Sequence, residues 1–309
     1  MHTKKKTLLL GAHISISGGL EKAFSRGESI GCTAIQMFTK SNRQWNCKPL
    51  TALEIQLFKD AWKQSYIQDV IVHAAYLINI GSSNPEVMRK SSLALKEELS
   101  RCEQLGIPYL VLHPGSNGDG SPEVSLAQIA EQLDLVLTAV PGKTQILLET
   151  MAGQGSNLCS QFEELAAIYK ASHHKNRIGV CFDTCHAFAA GYDMRTQESY
   201  QALWENFDKI IGLTLLKAIH VNDSKKELGS RVDRHEDIGK GKLGLEAFKL
   251  LFNDSRFFTI PKILETPKDD LSQDLKNMQK IVSLLSPETK KIMEVKVVDR
   301  IFEARASNR

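Results

Sequence analysis

Short apolar runs recur along the chain, and polar segments with helical spacing separate them. The runs are Thr7–Gly11, Ala34–Phe38, Asp69–His73, Tyr109–His113, Gln145–Glu149, Gly179–Asp183, Lys217–Asn222 and Pro261–Glu265. Most are continuous, not alternating, as parallel strands are when both faces are covered. Between them apolar residues repeat at intervals of three and four. Leu95, Leu99 and Cys102 form one stripe, ended by Gly106, and Leu126, Ile129, Leu133 and Val136 form another before Pro141-Gly142. Tyr200, Leu203, Phe207 and Ile210 make a third; Leu271, Leu275, Met278, Val282 and Leu285 make a fourth. This is the helical period, and Gly or Pro just past the end is ordinary stop chemistry.

Eight such strand–helix units in 309 residues predict a single-domain α/β protein, a closed (β/α)8 TIM barrel. An open doubly wound sheet is the alternative. The periodic pattern ends near Ser286. The expected boundaries are therefore a barrel over 1–286 and a charged C-terminal extension over 287–309, a short helix followed by a mobile, solvated end.

Composition changes this picture little. Hydrophobic residues make up 42% and charged residues 24%, the balance of a soluble globular chain. The formal net charge of +3 does not exclude a nucleic-acid partner, because the local field matters more than the sum. The six cysteines form no C-x-x-C pair and sit in apolar contexts, so reduced, buried thiols are expected. That fits a reducing, cytoplasmic location. The start, Met-His-Thr-Lys-Lys-Lys-Thr-Leu-Leu-Leu, has a charged and then an apolar stretch. Gly11 and His13 interrupt it and no small-residue cleavage site follows, so no signal peptide is expected. No run reaches the ~20 apolar residues of a membrane span, so no membrane partner is expected. A monomer is the expected state.

The ends of the runs carry the chemistry. Six successive runs close on His73, His113, Glu149, Asp183, His220 and Glu265, about 35–45 residues apart. A ring of parallel strands would aim all six at one point, which an open sheet does less naturally. Two local motifs add to them. Asp183-Thr-Cys-His186 puts a histidine three residues past a strand-end carboxylate, and Asp233-Arg-His235 puts two donors on one side of an extended segment. A single strand-end histidine is usually a core residue and a single Asp there is usually a helix N-cap. Nine such residues in one register describe a metal centre. His13 follows the first run and belongs near the site, off the metal, while His2, His173 and His174 belong to the surface.

Five imidazoles and four carboxylates exceed what one ion binds, so two or three ions are expected. Mixed nitrogen and oxygen donors favour zinc, with manganese or iron as competitors, and disfavour magnesium. Three divalent ions would outweigh four carboxylates and leave a net positive, coordinatively open centre. That suits metal-assisted hydrolysis of a phosphodiester.

Longer motifs then narrow the class. Gly-Ala-His13-Ile-Ser, His73-Ala-Ala-Tyr76-Leu77-Ile-Asn, His113-Pro-Gly, Ala152-Gly-Gln-Gly-Ser-Asn, Asp183-Thr-Cys-His186-Ala-Phe-Ala-Ala-Gly-Tyr-Asp, His220-Val-Asn-Asp, Gly229-Ser-Arg-Val-Asp233-Arg-His235 and Ile-Leu-Glu265-Thr resemble the endonuclease IV family of apurinic/apyrimidinic DNA endonucleases. The resemblance runs from about residue 8 to about residue 285. It implies a (β/α)8 barrel with three Zn2+ ions that acts on double-stranded DNA containing abasic sites or blocked 3′ ends. The phosphodiester 5′ to the abasic site would be hydrolysed, leaving a 3′-hydroxyl and a 5′-deoxyribose phosphate, and 3′ ends would be trimmed.

By the same resemblance, His73 and His113 hold the first ion and Glu149 bridges to the second. Asp183, His220 and Glu265 complete the second, and His186, Asp233 and His235 hold the third. Glu149 would orient an activated hydroxide and is the candidate catalytic residue. Arg43, Tyr76 and Leu77 match the positions that contact DNA and flip the abasic nucleotide out, which costs least where stacking is already lost. Two positions depart from the family pattern. Ala-Ala follows His73 in place of Asp-Ser, and Glu236 follows His235 in place of a second histidine. The rival readings are a metal-dependent sugar isomerase of the xylose-isomerase type and a non-catalytic binder of damaged DNA with structural metals. The first leaves the Asp-x-His loop without a task; the second calls for thiolate ligands.

Overall fold

The computed structural model describes residues 5–297. Eight parallel strands form one sheet: β1 (Leu10–Ala12), β2 (Ala34–Met37), β3 (Asp69–His73), β4 (Tyr109–Leu112), β5 (Gln145–Glu149), β6 (Ile178–Asp183), β7 (Leu216–His220) and β8 (Lys262–Leu264). The hydrogen-bonded order runs β1-β8-β7-β6-β5-β4-β3-β2. Its two ends meet through a parallel bridge between His13 and Gln36, and Ile14 N–H donates to the Gln36 carbonyl at 2.7 Å. The sheet thus curls into the barrel expected from the eight runs. Closure at this seam needs a glycine, because a Cβ at Gly11 would stand 1.6 Å from the Ala34 carbonyl oxygen.

Helices α1 (Lys22–Ser29), α2 (Ala52–Gln64), α3 (Pro85–Leu105), α4 (Pro122–Ala139), α5 (Phe162–Ala171), α6 (Thr184–Ala190), α7 (Gln197–Ile210), α8 (Gly244–Asn253), α9 (Leu271–Ser283) and α10 (Pro287–Ile292) alternate with the strands. Their local chemistry agrees with the packing. In α3, Asn84 caps the N-terminus ahead of Pro85, and Gly106 takes the left-handed conformation that ends the helix. Leu95, Leu99 and Cys102 bury the predicted stripe.

Inside the barrel lies a separate apolar plug. Leu9, Ala34, Ile71, Val111, Leu147, Cys181, Ala218 and Ile263 pack together, one from each strand or its lead-in. Side chains alternate across a strand, so the residue two places on faces inward again. That rule yields Gln36, His73, His113, Glu149, Asp183, His220 and Glu265. The candidate donors form the layer directly above the plug, at the C-terminal mouth where barrels place their sites.

The first apolar run divides. Leu10–Ala12 enters the barrel, whereas Lys6–Thr7 pairs in parallel with Met293–Glu294. The boundary expected at Pro287 falls at the first turn of α10. Beyond it Met293 is buried, and Val295 and Val297 pack on the core. Their spacing of two is a strand signal. The rest of the expected extension, 298–309, lies outside the described residues, as does His2.

Lys262 of β8 is fully buried on the outer face, with its ammonium donating to the Phe257 and Ile260 carbonyls. Burial pushes this ammonium down to about 7. An unfolded lysine titrates near ~10.4, so across that window the unfolded chain binds the extra proton and stability rises with pH. Urea midpoints measured from pH 7 to 10 should show this rise in the parent and lose it in Lys262→Met. The expected difference between the two slopes integrates to on the order of 3 kcal/mol; parallel curves refute it.

Candidate metal centre

Glu149 is the hub. It ends β5, is wholly buried, and its two carboxylate oxygens face four imidazoles. Oε2 lies 3.2 Å from His73 Nε2 and 3.2 Å from His113 Nε2. Oε1 lies 3.0 Å from His220 Nδ1 and 3.2 Å from His186 Nδ1. Glu265, one residue past β8, reaches His220 Nδ1 at 3.3 Å. Asp233 bridges outward, 3.2 Å from His186 Nε2 and 3.3 Å from His235 Nε2. Asp183 Oδ2 stands 3.9 Å from His220 and 3.8 Å from His235. All nine sequence candidates therefore meet at one mouth.

Two local devices set the outer donors. Asp183 is the N-cap of α6 and accepts the His186 backbone N–H at 2.8 Å through Oδ1. Asp183 thus serves as a cap and also belongs to the cluster, because Oδ1 caps the helix while Oδ2 faces His220 and His235. The loop with Asp233 and His235 is pinned by buried Asp223, whose carboxylate accepts N–H groups from Ser224, Gly239, Gly241 and Leu243. His235–Glu236 pairs with Asp223–Ser224 as a short antiparallel ribbon.

The histidines are oriented as ligands are. A ring nitrogen that meets a carbonyl oxygen must carry the proton, which leaves its partner a lone pair. His73 Nδ1 donates to the Ala74 carbonyl at 2.7 Å and aims Nε2 at the site. His235 Nδ1 donates to the Glu265 carbonyl at 3.1 Å, and His186 Nδ1 to the Thr150 carbonyl at 3.0 Å. His220 Nε2 donates to Gln36 Oε1 at 2.7 Å and aims Nδ1 inward. The Nε2 atoms of His186 and His235 are buried and make no well-aligned hydrogen bond, although Asp233 stands 3.2 and 3.3 Å away. Buried nitrogens left open beside carboxylates fit a cation.

Charge agrees. Burial pushes the Glu149 carboxyl up, yet His220 and His113, with His186, outweigh it and hold the group well below the usual carboxylate range. Burial likewise lowers the His186 imidazole, but Asp183, Asp233 and Glu149 hold it well above its ordinary value. Asp233 ends at about 2 because His186 and His235 overcome its burial. Donor atoms lie within 4.8 Å of one another in three overlapping groups: His73, His113 and Glu149; Glu149, Asp183, His220 and Glu265; Asp183, His186 and His235. Glu149 and Asp183 are each shared by two groups. Cys185 also comes near Asp233 and His235. Burial pushes its thiol up to about 12, so without a metal it stays protonated at neutral pH.

Three residues at the centre were not singled out from sequence. Gln36 is buried on β2, donates to Glu265 Oε1 and accepts from His220. It also contacts His13 Nδ1 at 3.1 Å, which puts His13 behind the ligands. Asn222 donates to Asp183 Oδ2 at 2.7 Å and accepts the Glu265 N–H at 2.8 Å. Thr150 accepts the Asp183 N–H at 2.9 Å through its hydroxyl. Gln36 was findable, because it sits in the same register two places after its plug residue.

The mouth opens into a cavity of about 400 Å³ lined in part by Tyr76, His113, Lys225, Asp233, Arg234 and Glu265. Tyr76 is 55% exposed, and its ring stands 5.2 Å from His73 and 5.5 Å from His113. Leu77 beside it and Arg43 on the β2–α2 loop are also exposed. These three do not touch the centre's carboxylates; they stand on the rim above it.

Residues 24–287 match a family model described as a xylose isomerase-like TIM barrel. A relative from Chloroflexus aurantiacus named "Probable endonuclease 4" is 47% identical over 277 residues, which span 89% of this chain and 97% of the relative. The crystal structure of endonuclease IV from Thermus thermophilus is similar at a TM-score of 0.79 and 35% identity, covering 89% of this chain and 98% of that one. A D-tagatose 3-epimerase-like protein, 18% identical at a TM-score of 0.68, covers 89% of this chain and 96% of its own and shares the fold alone.

Proposed function

Since the chain belongs to the endonuclease IV family, we propose that it repairs DNA by hydrolysing the phosphodiester 5′ to abasic sites, leaving a 3′-hydroxyl and a 5′-deoxyribose phosphate, and that it also trims blocked 3′ ends. The observation that carries the reading is the convergence of five imidazoles and four carboxylates around Glu149. In this reading three zinc ions occupy the centre. His73, His113 and the shared Glu149 hold one; Glu149, Asp183, His220 and Glu265 hold the next; His186, Asp233 and His235 hold the third. When bound, such ions supply Lewis-acid polarisation of the phosphate diester and charge for the leaving oxygen.

The chain's own residues do the rest. Glu149 sets the spacing of the donor groups. Lys225 and Arg234 add positive charge at the cavity wall for DNA phosphates. Arg43, Tyr76 and Leu77 enter the duplex and hold the abasic sugar out of the stack. Gln36 holds His220 and Glu265 in place. Outer partners of this kind are worth about 10–100-fold in metal affinity, so Gln36→Leu should weaken zinc by that range in competition with a chromogenic chelator. Unchanged affinity removes the role.

The deciding experiment is incubation with a duplex carrying one abasic analogue, followed by analysis of the ends. A single cut on the 5′ side with an extendable 3′-hydroxyl supports the reading. An intact duplex, or a cut on the 3′ side, overturns it.

A further inference from the structure

Beneath the rim, two buried charges join the two DNA-facing loops. Lys40, at the start of the loop that carries Arg43, has a side chain only 3% exposed; Glu98, in the middle of α3, is 1% exposed; they lie 3.6 Å apart. The Lys40 ammonium donates to the Trp45 carbonyl at 2.7 Å and to the Gln44 carbonyl at 3.3 Å. These carbonyls follow Arg43 directly. Glu98 Oε1 accepts the Ala75 backbone N–H at 3.2 Å, and Ala75 precedes Tyr76-Leu77. One ion pair therefore touches the backbone of both loops.

Neighbouring residues of α3 extend the attachment. Arg101, one turn on from Glu98, donates to the Thr39 hydroxyl at 3.2 Å, to the Thr39 carbonyl and to the Lys48 carbonyl at 3.1 Å. The Cys47 thiol bonds the Glu97 carboxylate. The segment from Thr39 to Lys48 is thus tied to α3 at both ends, and Lys40 ties its middle to the pair with Glu98. Apart from the two Lys40 bonds, the bonds internal to the loop are long: Gln44 N–H to the Ser41 carbonyl and Arg43 N–H to the Ser41 hydroxyl, both 3.4 Å.

Stability alone does not account for the pair. Taking an ammonium and a carboxylate out of water is costly, and well-packed apolar residues of similar size often serve at least as well. What an apolar pair cannot do is grip backbone groups on two separate loops. We propose that Lys40 and Glu98 are positioning residues for abasic-site recognition. They form a buried strut that holds the Arg43 loop and the Tyr76–Leu77 loop at one spacing, so that both enter the duplex at the lesion together. The proposal rests on the reading that these loops contact DNA. A loop displaced by about 1 Å costs on the order of a hundredfold in a geometry-dependent step, so the strut acts on selectivity and leaves general phosphate binding alone.

The test compares binding, by fluorescence anisotropy, of a tetrahydrofuran abasic-analogue duplex and an intact duplex of the same sequence. The variants are Glu98→Gln and the double variant Lys40→Met/Glu98→Gln, which removes both charges at nearly constant volume and stays folded where a lone buried ammonium fails. Expected is a loss of about tenfold in preference for the abasic duplex, with intact-duplex affinity unchanged. An unchanged preference in the double variant overturns the strut. Equal weakening on both duplexes also overturns it, because that marks a general structural role. Arg43→Ala and Leu77→Ala serve as controls. If they leave the preference intact, the loops do not read the lesion and the underlying reading fails instead.

Discussion

Glu149→Gln is expected to lower cleavage of an abasic duplex by on the order of a thousandfold or more while leaving DNA affinity within the parent's range. Glutamine matches glutamate in volume, so the barrel mouth keeps its shape. It removes the one negative charge that faces four imidazoles at 3.0–3.2 Å. It also replaces one of the two acceptor oxygens with an NH2 donor, which can neither share charge with a cation nor accept from an imidazole N–H. The shared group between two donor sets is lost. The proposed DNA contacts Arg43, Tyr76 and Leu77 make no hydrogen bond to Glu149, so binding is expected to survive. Single-turnover cleavage and anisotropy on the same duplex separate the two effects. Cleavage at the parent rate removes Glu149 from the chemistry, and parallel loss of binding reassigns it to the fold.

On the proposed three-ion reading, treatment with a chelator should abolish cleavage and lower the thermal midpoint by roughly 10 °C. Elemental analysis of the untreated protein should return three metals per chain; one or fewer overturns the three-ion reading. The reason lies in what remains when the ions leave. His73, Glu149, Asp183, His186 and His220 are all buried. Without ions, pairing with the carboxylates Asp183, Asp233 and Glu149 holds the His186 imidazole well above its ordinary value, and the neighbouring imidazoles hold the Glu149 carboxyl well below its own. The stripped protein therefore stays folded, but it forfeits the binding free energy that ions give the native state alone. Restored midpoint and activity on adding zinc, measured side by side, tie both losses to the same centre.

Much of this centre was legible in the chain. A strand's side chains alternate, so an apolar run ending in His or Glu states which face that residue occupies. Repetition of that statement in six runs specified the ring, and the barrel followed from it. The same rule reaches Gln36, two residues after Ala34, but a glutamine carries no ligand chemistry of its own and so drew no notice. The expected first strand, Thr7–Gly11, takes Thr7 into the barrel because its apolar neighbours run on without a break, whereas Lys6–Thr7 forms a separate short strand. Only the pairing with Met293–Glu294 separates it, and that partner lies at the far end of the chain.

The sequence by itself determined the fold class, the nine donors and their common mouth, because each depends on local periodicity and on residue type. Tertiary structure alone decided that Asp183 as well as Glu149 falls in two donor groups, that Gln36, Asn222 and Thr150 hold the donors, and that Lys40 and Glu98 join two loops. Those facts depend on distances between residues 36 and 265, 183 and 222, or 40 and 98. Spacing along the chain does not encode such distances; they exist only once the barrel has closed.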